Sequence, residues 1–259
     1  MTSTRATSQL EASVRSTDGL KLIPYLMAGY PDRAGSIQQG RAYARAGVAA
    51  IEVGVPFSDP LADGPAVQRA GEVALRGGMT VAGALEVAGE VAAEGVPVVL
   101  MTYVNPVLAY DPRRLAAEAA EAGVAGVIVP DLPAEEAEPV AGWLRSAGLD
   151  TIFLVAPTSP DSRIASIAER SSGFVYCVTL TGVTGARAEL PSGLEQLLAR
   201  VRAATPLPVA AGFGISRPEH LARLRGKVDA AIVASALLNR LHEGRDPVAL
   251  VEELLAGCR

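Results

Sequence analysis

Three carboxylates crowd one short stretch, IEVGVPFSDPLADGP at residues 51–65, and no Lys or Arg lies between Glu52 and Pro65 to pair with them. Glu52 interrupts the apolar run Ala49 to Val53, which has the form of a short buried strand. Asp59 and Asp63 fall where Gly54, Pro56, Pro60, Gly64 and Pro65 oppose regular structure. An acid on a buried strand with no local partner must find a distant one, take a raised pKa, or do chemistry. A further acid, Asp131, sits in PDLPAEE. Paired carboxylates in different environments can divide acid and base work. A single loop Asp more often caps a turn or a helix, and Asp131 has the form of such a cap. Chemistry alone does not separate Asp59 from Asp63.

A second set of residues points to an anion. Thr184-Gly185, the run Gly212-Phe213-Gly214-Ile215-Ser216, and Ala234-Ser235 make turns late in the chain. Glycine lets the backbone approach a phosphate closely, and a helix N-terminus beyond such a turn offers amide donors. Other chemistries lack their residues. His220 and His242 fall in predicted helices, so a His metal site or a catalytic triad is not expected. Lys21 and Lys227 are the only lysines, and neither ends a strand, which leaves a Schiff-base mechanism without its nucleophile. Cys177 falls inside a predicted strand and reads as packing. What remains is acid–base work by carboxylates on a phosphorylated substrate.

The elements that must position these groups alternate steadily. Apolar runs at Leu22–Leu26, Ala49–Val53, Pro97–Met101, Gly126–Val129, Thr151–Val155, Gly173–Val178, Pro208–Ala211 and Asp229–Val233 are each followed by a helical pattern. Asp32 is an expected N-cap and Gly47 the stop of the helix between them. Regular structure is expected to resume only near Gly71 after the acidic stretch, and one helix is expected from Ala134 to Ala147. Continuous apolar strands alternating with helices imply a covered parallel sheet, and eight units favour a closed (β/α)8 barrel over an open sheet. A short extra helix is expected over residues 7–16, before the first strand, within a single barrel domain of residues 1–259. In such a barrel the functional groups lie at the C-terminal ends of the strands. Ala50, Glu52 and Gly54 share one strand face and Ile51, Val53 and Val55 the other, which aims Glu52 into the barrel mouth beside two small neighbours that leave room for a ligand. The competing reading is a carboxylate bonded within a polar core layer.

Composition agrees with a large aliphatic core: 49% of the 259 residues are hydrophobic and 4% aromatic. The net charge of −5 and the lack of a basic patch argue against nucleic-acid or anionic-membrane binding. Two distant cysteines make neither a disulfide framework nor a metal motif, which suits a reducing compartment. The first residues lack the apolar core of a signal peptide, and no apolar run reaches the roughly 18 residues of a membrane helix. A cytoplasmic protein is expected.

Together, IEVGVPFSDPLADGP, PDLPAEE, GVTGAR and GFGIS resemble the α subunit family of tryptophan synthase, in order and over essentially the whole chain. The resemblance implies a (β/α)8 lyase that cleaves indole-3-glycerol phosphate to indole and glyceraldehyde 3-phosphate in tryptophan biosynthesis. It implies a β partner in an α2β2 heterotetramer, which receives the indole and holds pyridoxal phosphate, with no cofactor in this chain. By motif, Glu52 matches the catalytic acid/base and Asp63 the second catalytic carboxylate. Gly185, Phe213, Gly214, Ala234 and Ser235 match the phosphate site, and Tyr25, Met101, Ile128, Leu154, Tyr176 and Phe213 the indole pocket. Thr184 matches a loop that closes over substrate, while Asp59, Pro60 and the loop from Tyr103 to Tyr110 match the partner interface. Three positions depart from the family's usual residues: Ala234 replaces a Gly, Tyr25 a Phe, and Pro130 a small residue before Asp131. The rivals are a lyase that works without a β partner, a non-catalytic partner of a β subunit, and another phosphate-binding barrel. Intact Glu52 and Asp63 argue against the second, and the run from Asp59 to Pro65 against the third.

Overall fold

The computed structural model of the protein describes residues 6–15, 17–178, 193–212 and 214–258. Its strands are β1 (Lys21–Met27), β2 (Ile51–Gly54), β3 (Val98–Met101), β4 (Val124–Ile128), β5 (Asp150–Ile152), β6 (Leu154–Val155), β7 (Val175–Val178), β8 (Val209–Gly212) and β9 (Ala230–Val233). They pair in parallel in the order β5-β4-β3-β2-β1-β9-β8-β7-β6. Only Phe153 separates β5 from β6, and its carbonyl accepts from the Tyr176 amide at 3.1 Å. The two are halves of one stave, the first pairing with β4 and the second with β7. Through that stave the sheet closes, and the nine segments make the eight-stave barrel expected.

Around it run α1 (Gln9–Val14), α2 (Arg33–Arg45), α3 (Pro65–Arg76), α4 (Val81–Ala92), α5 (Val104–Tyr110), α6 (Pro112–Glu121), α7 (Val140–Ser146), α8 (Asp161–Arg170), α9 (Leu194–Ala204), α10 (Pro218–Leu224), α11 (Ser235–His242) and α12 (Pro247–Cys258). Asp32 caps α2 by accepting from the Gly35 amide at 2.7 Å. Gly47 follows the C-cap Ala46 at φ 86°, a left-handed stop that favours glycine.

Three expectations change. The acidic loop ends at Pro65 and not near Gly71, because a proline at the first helical turn starts a helix as readily as one inside it breaks it. The segment from Tyr103 to Tyr110, expected as a loop, is almost wholly α5. The single helix expected over residues 134–147 is a 3-10 turn at Ala134–Glu136 followed by α7, since Pro139 has no amide to donate within a continuous helix.

Side chains divide cleanly between two layers. Leu22, Leu26, Ile51, Val53, Leu100, Val127, Ala231 and Val233 face the helices. Ile23, Ala50, Val99, Ile128, Ile152, Phe174, Ala210, Ala230 and Ile232 fill the barrel interior. Leu10 and Val14 of α1 belong to that interior cluster. Ser8 caps α1 by accepting from the Glu11 amide and donates to Asp150 at the start of β5. Ser13 donates to the Ala49 carbonyl just before β2. The short helix therefore plugs the N-terminal end of the barrel and leaves only the opposite end open.

Leu10 has no exposed surface. Leu10→Ala should cost about 2–5 kcal/mol, as buried leucine truncations do. Urea unfolding reads it directly, and a cost under about 1 kcal/mol would mean that the plug is not part of the core.

Candidate active site

β1 and β2 are in register, with Tyr25 opposite Glu52 and Met27 opposite Gly54. Ile51 and Val53 pack outward, so alternation turns Glu52 inward as expected. Glu52 is only 3% exposed, and its Oε2 has no hydrogen-bond partner among the described residues. Burial pushes its pKa up to about 8, with the nearby Asp63 carboxyl adding to the rise. The Oε2 atom, at least, is not bonded within a polar layer of the described residues.

Asp63 closes the loop before α3 and is half-buried. Burial raises its pKa to about 6, and a hydrogen bond from the Tyr103 hydroxyl opposes that rise. The same hydroxyl accepts from the Ala62 amide at 3.2 Å, so one side chain holds both the loop and its carboxylate. Tyr103 is 2% exposed and its ring stacks against Phe57 at 5.3 Å. Matched to a partner interface by sequence, Tyr103 is buried and bonds the Asp63 carboxyl. Nothing in the sequence marks that role, because it arises only where the β2 and β3 loops meet.

The other acids part from these two. Asp59 is exposed and accepts from Ser58, and Pro60 is partly exposed beside it. Asp131 is exposed and accepts from the Val104 amide at 2.9 Å. It is a cap, as expected, but it caps α5 across from a neighbouring loop and not the turn that follows it.

Tyr25, Glu52, Asp63, Met101, Ile128, Leu154, Tyr176, Gly214, Ala234 and Ser235 all line one cavity of about 500 Å³ at the C-terminal end of the barrel. A volume of that size suits a small-molecule ligand. Thr158, Ser159 and Arg163, beyond the split stave, also line it and were not expected there. Arg163 pairs with Glu135 at 3.1 Å. A larger groove of about 640 Å³ runs beside α10, α11 and α12. It is lined by arginines and glutamates that already pair, Arg240 with Glu253 and Arg245 with Glu243, and it holds neither Glu52 nor Asp63.

One expectation about space is corrected. Gly54 does not leave room for a ligand beside Glu52, because any Cβ there would collide with the Tyr25 hydroxyl. Gly212 is matched in the same way to the Tyr176 hydroxyl. Both tyrosine rings therefore lie over glycines on the next strand and wall the cavity.

Toward the other side of the cavity, β8 runs into Gly214 at φ 70°, and β9 runs through Ala234 into α11. Among the described residues no side chain caps the N-terminus of α11, which leaves its first amides and dipole as local donors. Ser235 is buried there. The cavity thus has apolar walls, carries the two carboxylates, and is also lined by Gly214, Ala234 and Ser235. Thr184, Gly185 and Phe213 lie outside the described residues.

The sequence pattern of the family described as "Tryptophan synthase alpha chain" matches residues 12–258. This chain belongs to the tryptophan synthase alpha chain family. The Roseiflexus sp. (strain RS-1) tryptophan synthase alpha chain is 49% identical over 234 residues, which cover 90% of each chain. That of Solibacter usitatus is 47% identical over 234 residues, covering 90% of this chain and 88% of its own. Mycobacterium tuberculosis tryptophan synthase superposes with a TM-score of 0.89 at 40% identity, over 98% of this chain and 99% of that one. A Pyrococcus furiosus chain, solved in work on the mutual activation of its a2b2 complex, gives 0.85 at 40% identity over 91% and 98%. The alpha reaction of the family is a lyase step, cleavage of indole-3-glycerol phosphate to indole and glyceraldehyde 3-phosphate in tryptophan biosynthesis.

The raised carboxyl of Glu52 carries a sign for stability. Its folded pKa of about 8 lies above the ordinary carboxylate range, so the folded state binds the proton more tightly than the unfolded one. That contribution is fully present below about pH 4 and is lost as pH rises through about 8. Glu52→Gln, which cannot ionise, should therefore gain stability relative to the unaltered chain on going from pH 5 to pH 9. Thermal unfolding at the two pH values reads the difference, and an equal response of both proteins would place the Glu52 carboxyl in the ordinary range.

Proposed function

We propose that Glu52 and Asp63 carry out the retro-aldol cleavage between them, on a substrate held by its phosphate at the far side of the cavity. The observation that supports this most is a pair of carboxyls in one cavity whose pKa values differ, about 8 for Glu52 and about 6 for Asp63. Between those values the pair holds one proton, which suits a protonated acid beside an ionised partner. Protonated Glu52 gives its proton to indole C3. The positive charge that grows on the ring nitrogen is met by ionised Asp63, which accepts from the N–H. The Glu52 carboxylate then takes the proton of the glycerol hydroxyl on the carbon bonded to the ring. As that oxygen becomes a carbonyl, the carbon–carbon bond breaks and its electrons restore the indole. The products are indole and glyceraldehyde 3-phosphate, and Glu52 ends protonated as it began.

In this reading the indole ring lies among Tyr25, Met101, Ile128, Leu154 and Tyr176, and the phosphate on the amides at Gly214, Ala234 and Ser235. Gly185 and Phe213 complete the phosphate site, and Thr184 closes the loop over substrate. The chain acts as a single barrel domain in the cytoplasm, paired with a β subunit in an α2β2 assembly. No helix among the described residues is long and apolar enough to cross a membrane. Asp59 and Pro60, with the exposed Leu61 (93%) and Leu108 (56%), offer the surface that partner would cover. Pyridoxal phosphate belongs to the β partner, and none is asked of this chain.

Indole release from indole-3-glycerol phosphate, with and without a β subunit, tests the reading. Turnover that rises on adding the partner supports it, and equal turnover would favour a lyase that works alone. Glu52→Gln should lower kcat by about a thousandfold or more with the fold intact, and Asp63→Asn by about a hundredfold. Near-normal turnover by Glu52→Gln would overturn the mechanism. With chemistry limiting, the rate of the unaltered enzyme should fall below about pH 6 as Asp63 protonates and above about pH 8 as Glu52 ionises. Asp63→Asn should lose the acid limb only.

A further inference from the structure

Tyr25 brings a phenol hydroxyl into the wall of the cavity. Its side chain is 2% exposed, lines the cavity, and lies opposite Glu52 in register. Its hydroxyl occupies the space where a side chain at position 54 would begin. Positions 52 and 54 share one face of β2, so the hydroxyl is the next group along that face from the Glu52 carboxyl. Its one hydrogen-bonding contact among the described residues is the Met27 thioether at 3.8 Å, a weak acceptor. Glu52 Oε2 is equally without a partner among the described residues. Two buried polar groups with poor or absent partners therefore face one cavity, a costly arrangement unless a ligand satisfies them.

We propose that the Tyr25 hydroxyl is a substrate contact, donating a hydrogen bond to the glycerol hydroxyl whose proton Glu52 removes. A hydroxyl oxygen has the lone pairs to accept from Tyr25 while its own hydrogen points to the carboxylate. Burial, followed by the Asp63 and Glu52 charges, raises the Tyr25 pKa well above its ordinary value, so the phenol stays neutral and acts as donor. Held from both sides, the hydroxyl is aligned for the step in which the carbon–carbon bond breaks. The inference rests on Glu52 as the proton acceptor and adds the group that orients what it deprotonates.

Tyr25→Phe is the variant that isolates the hydroxyl, since the ring over Gly54 is kept. Its kcat/KM for indole-3-glycerol phosphate should fall about tenfold, the size of one neutral hydrogen bond to substrate. Binding of indole-3-propanol phosphate, which keeps the ring and phosphate but lacks the two inner hydroxyls, should change less than twofold. Thermal stability should be unchanged or slightly raised. Unchanged kcat/KM would overturn the contact, as would an equal loss for substrate and analogue, which would mark a general packing role. No indole release by the unaltered chain with its β partner would instead overturn the reading of the site on which the contact depends.

Discussion

The dry environment of Glu52 is the constraint to which the rest of the barrel mouth answers. A carboxyl that is 3% exposed, with one oxygen unpartnered, cannot stay ionised at neutral pH without a cation to offset the loss of water. The effects that set its pKa, burial first and then Asp63, both push it upward. The group is consequently a proton carrier at neutral pH and not a fixed charge. Its neighbours follow from that. The tyrosine rings over Gly54 and Gly212 exclude solvent, and the aliphatic interior below shuts off the other end.

Asp63 answers the same constraint differently because its support is different. It is held by Tyr103, whose hydroxyl opposes the rise that burial imposes, and by a loop that ends in a helix. α3, which starts two residues later, packs through Val67, Ala70 and Ala74 against Tyr25, Met27 and Leu238. Leu238 belongs to α11, the helix whose first residue, Ser235, lines the cavity. The helix after the loop acid, the mouth of β1 and α11 thus share one small apolar cluster, which fixes their relative positions.

Much of this was legible in the sequence because it depends on local pattern. Strand alternation gave the inward face of Glu52, and the apolar runs gave all the staves, with Asp32 and Gly47 bounding α2. What was not legible depends on contacts between loops distant in sequence. Tyr103 reads as a surface aromatic until its hydroxyl is seen between Ala62 and Asp63. Asp131 reads as a cap of its own turn until Val104 is seen to donate to it. Pro65 and Pro139 are the same residue type with opposite effects, since one starts a helix and the other precedes a delayed one. Gly54 looks like room for a ligand, and only the facing strand shows that Tyr25 has already filled it.

Titration of the Glu52 carboxyl itself tests the central claim most directly. Carbon-13 carboxyl NMR, with Glu52→Gln to assign the signal, follows that group across pH in the intact chain. The account predicts a midpoint near 8 that moves down when Asp63 is replaced by Asn. A midpoint in the ordinary carboxylate range, near 4, would contradict it.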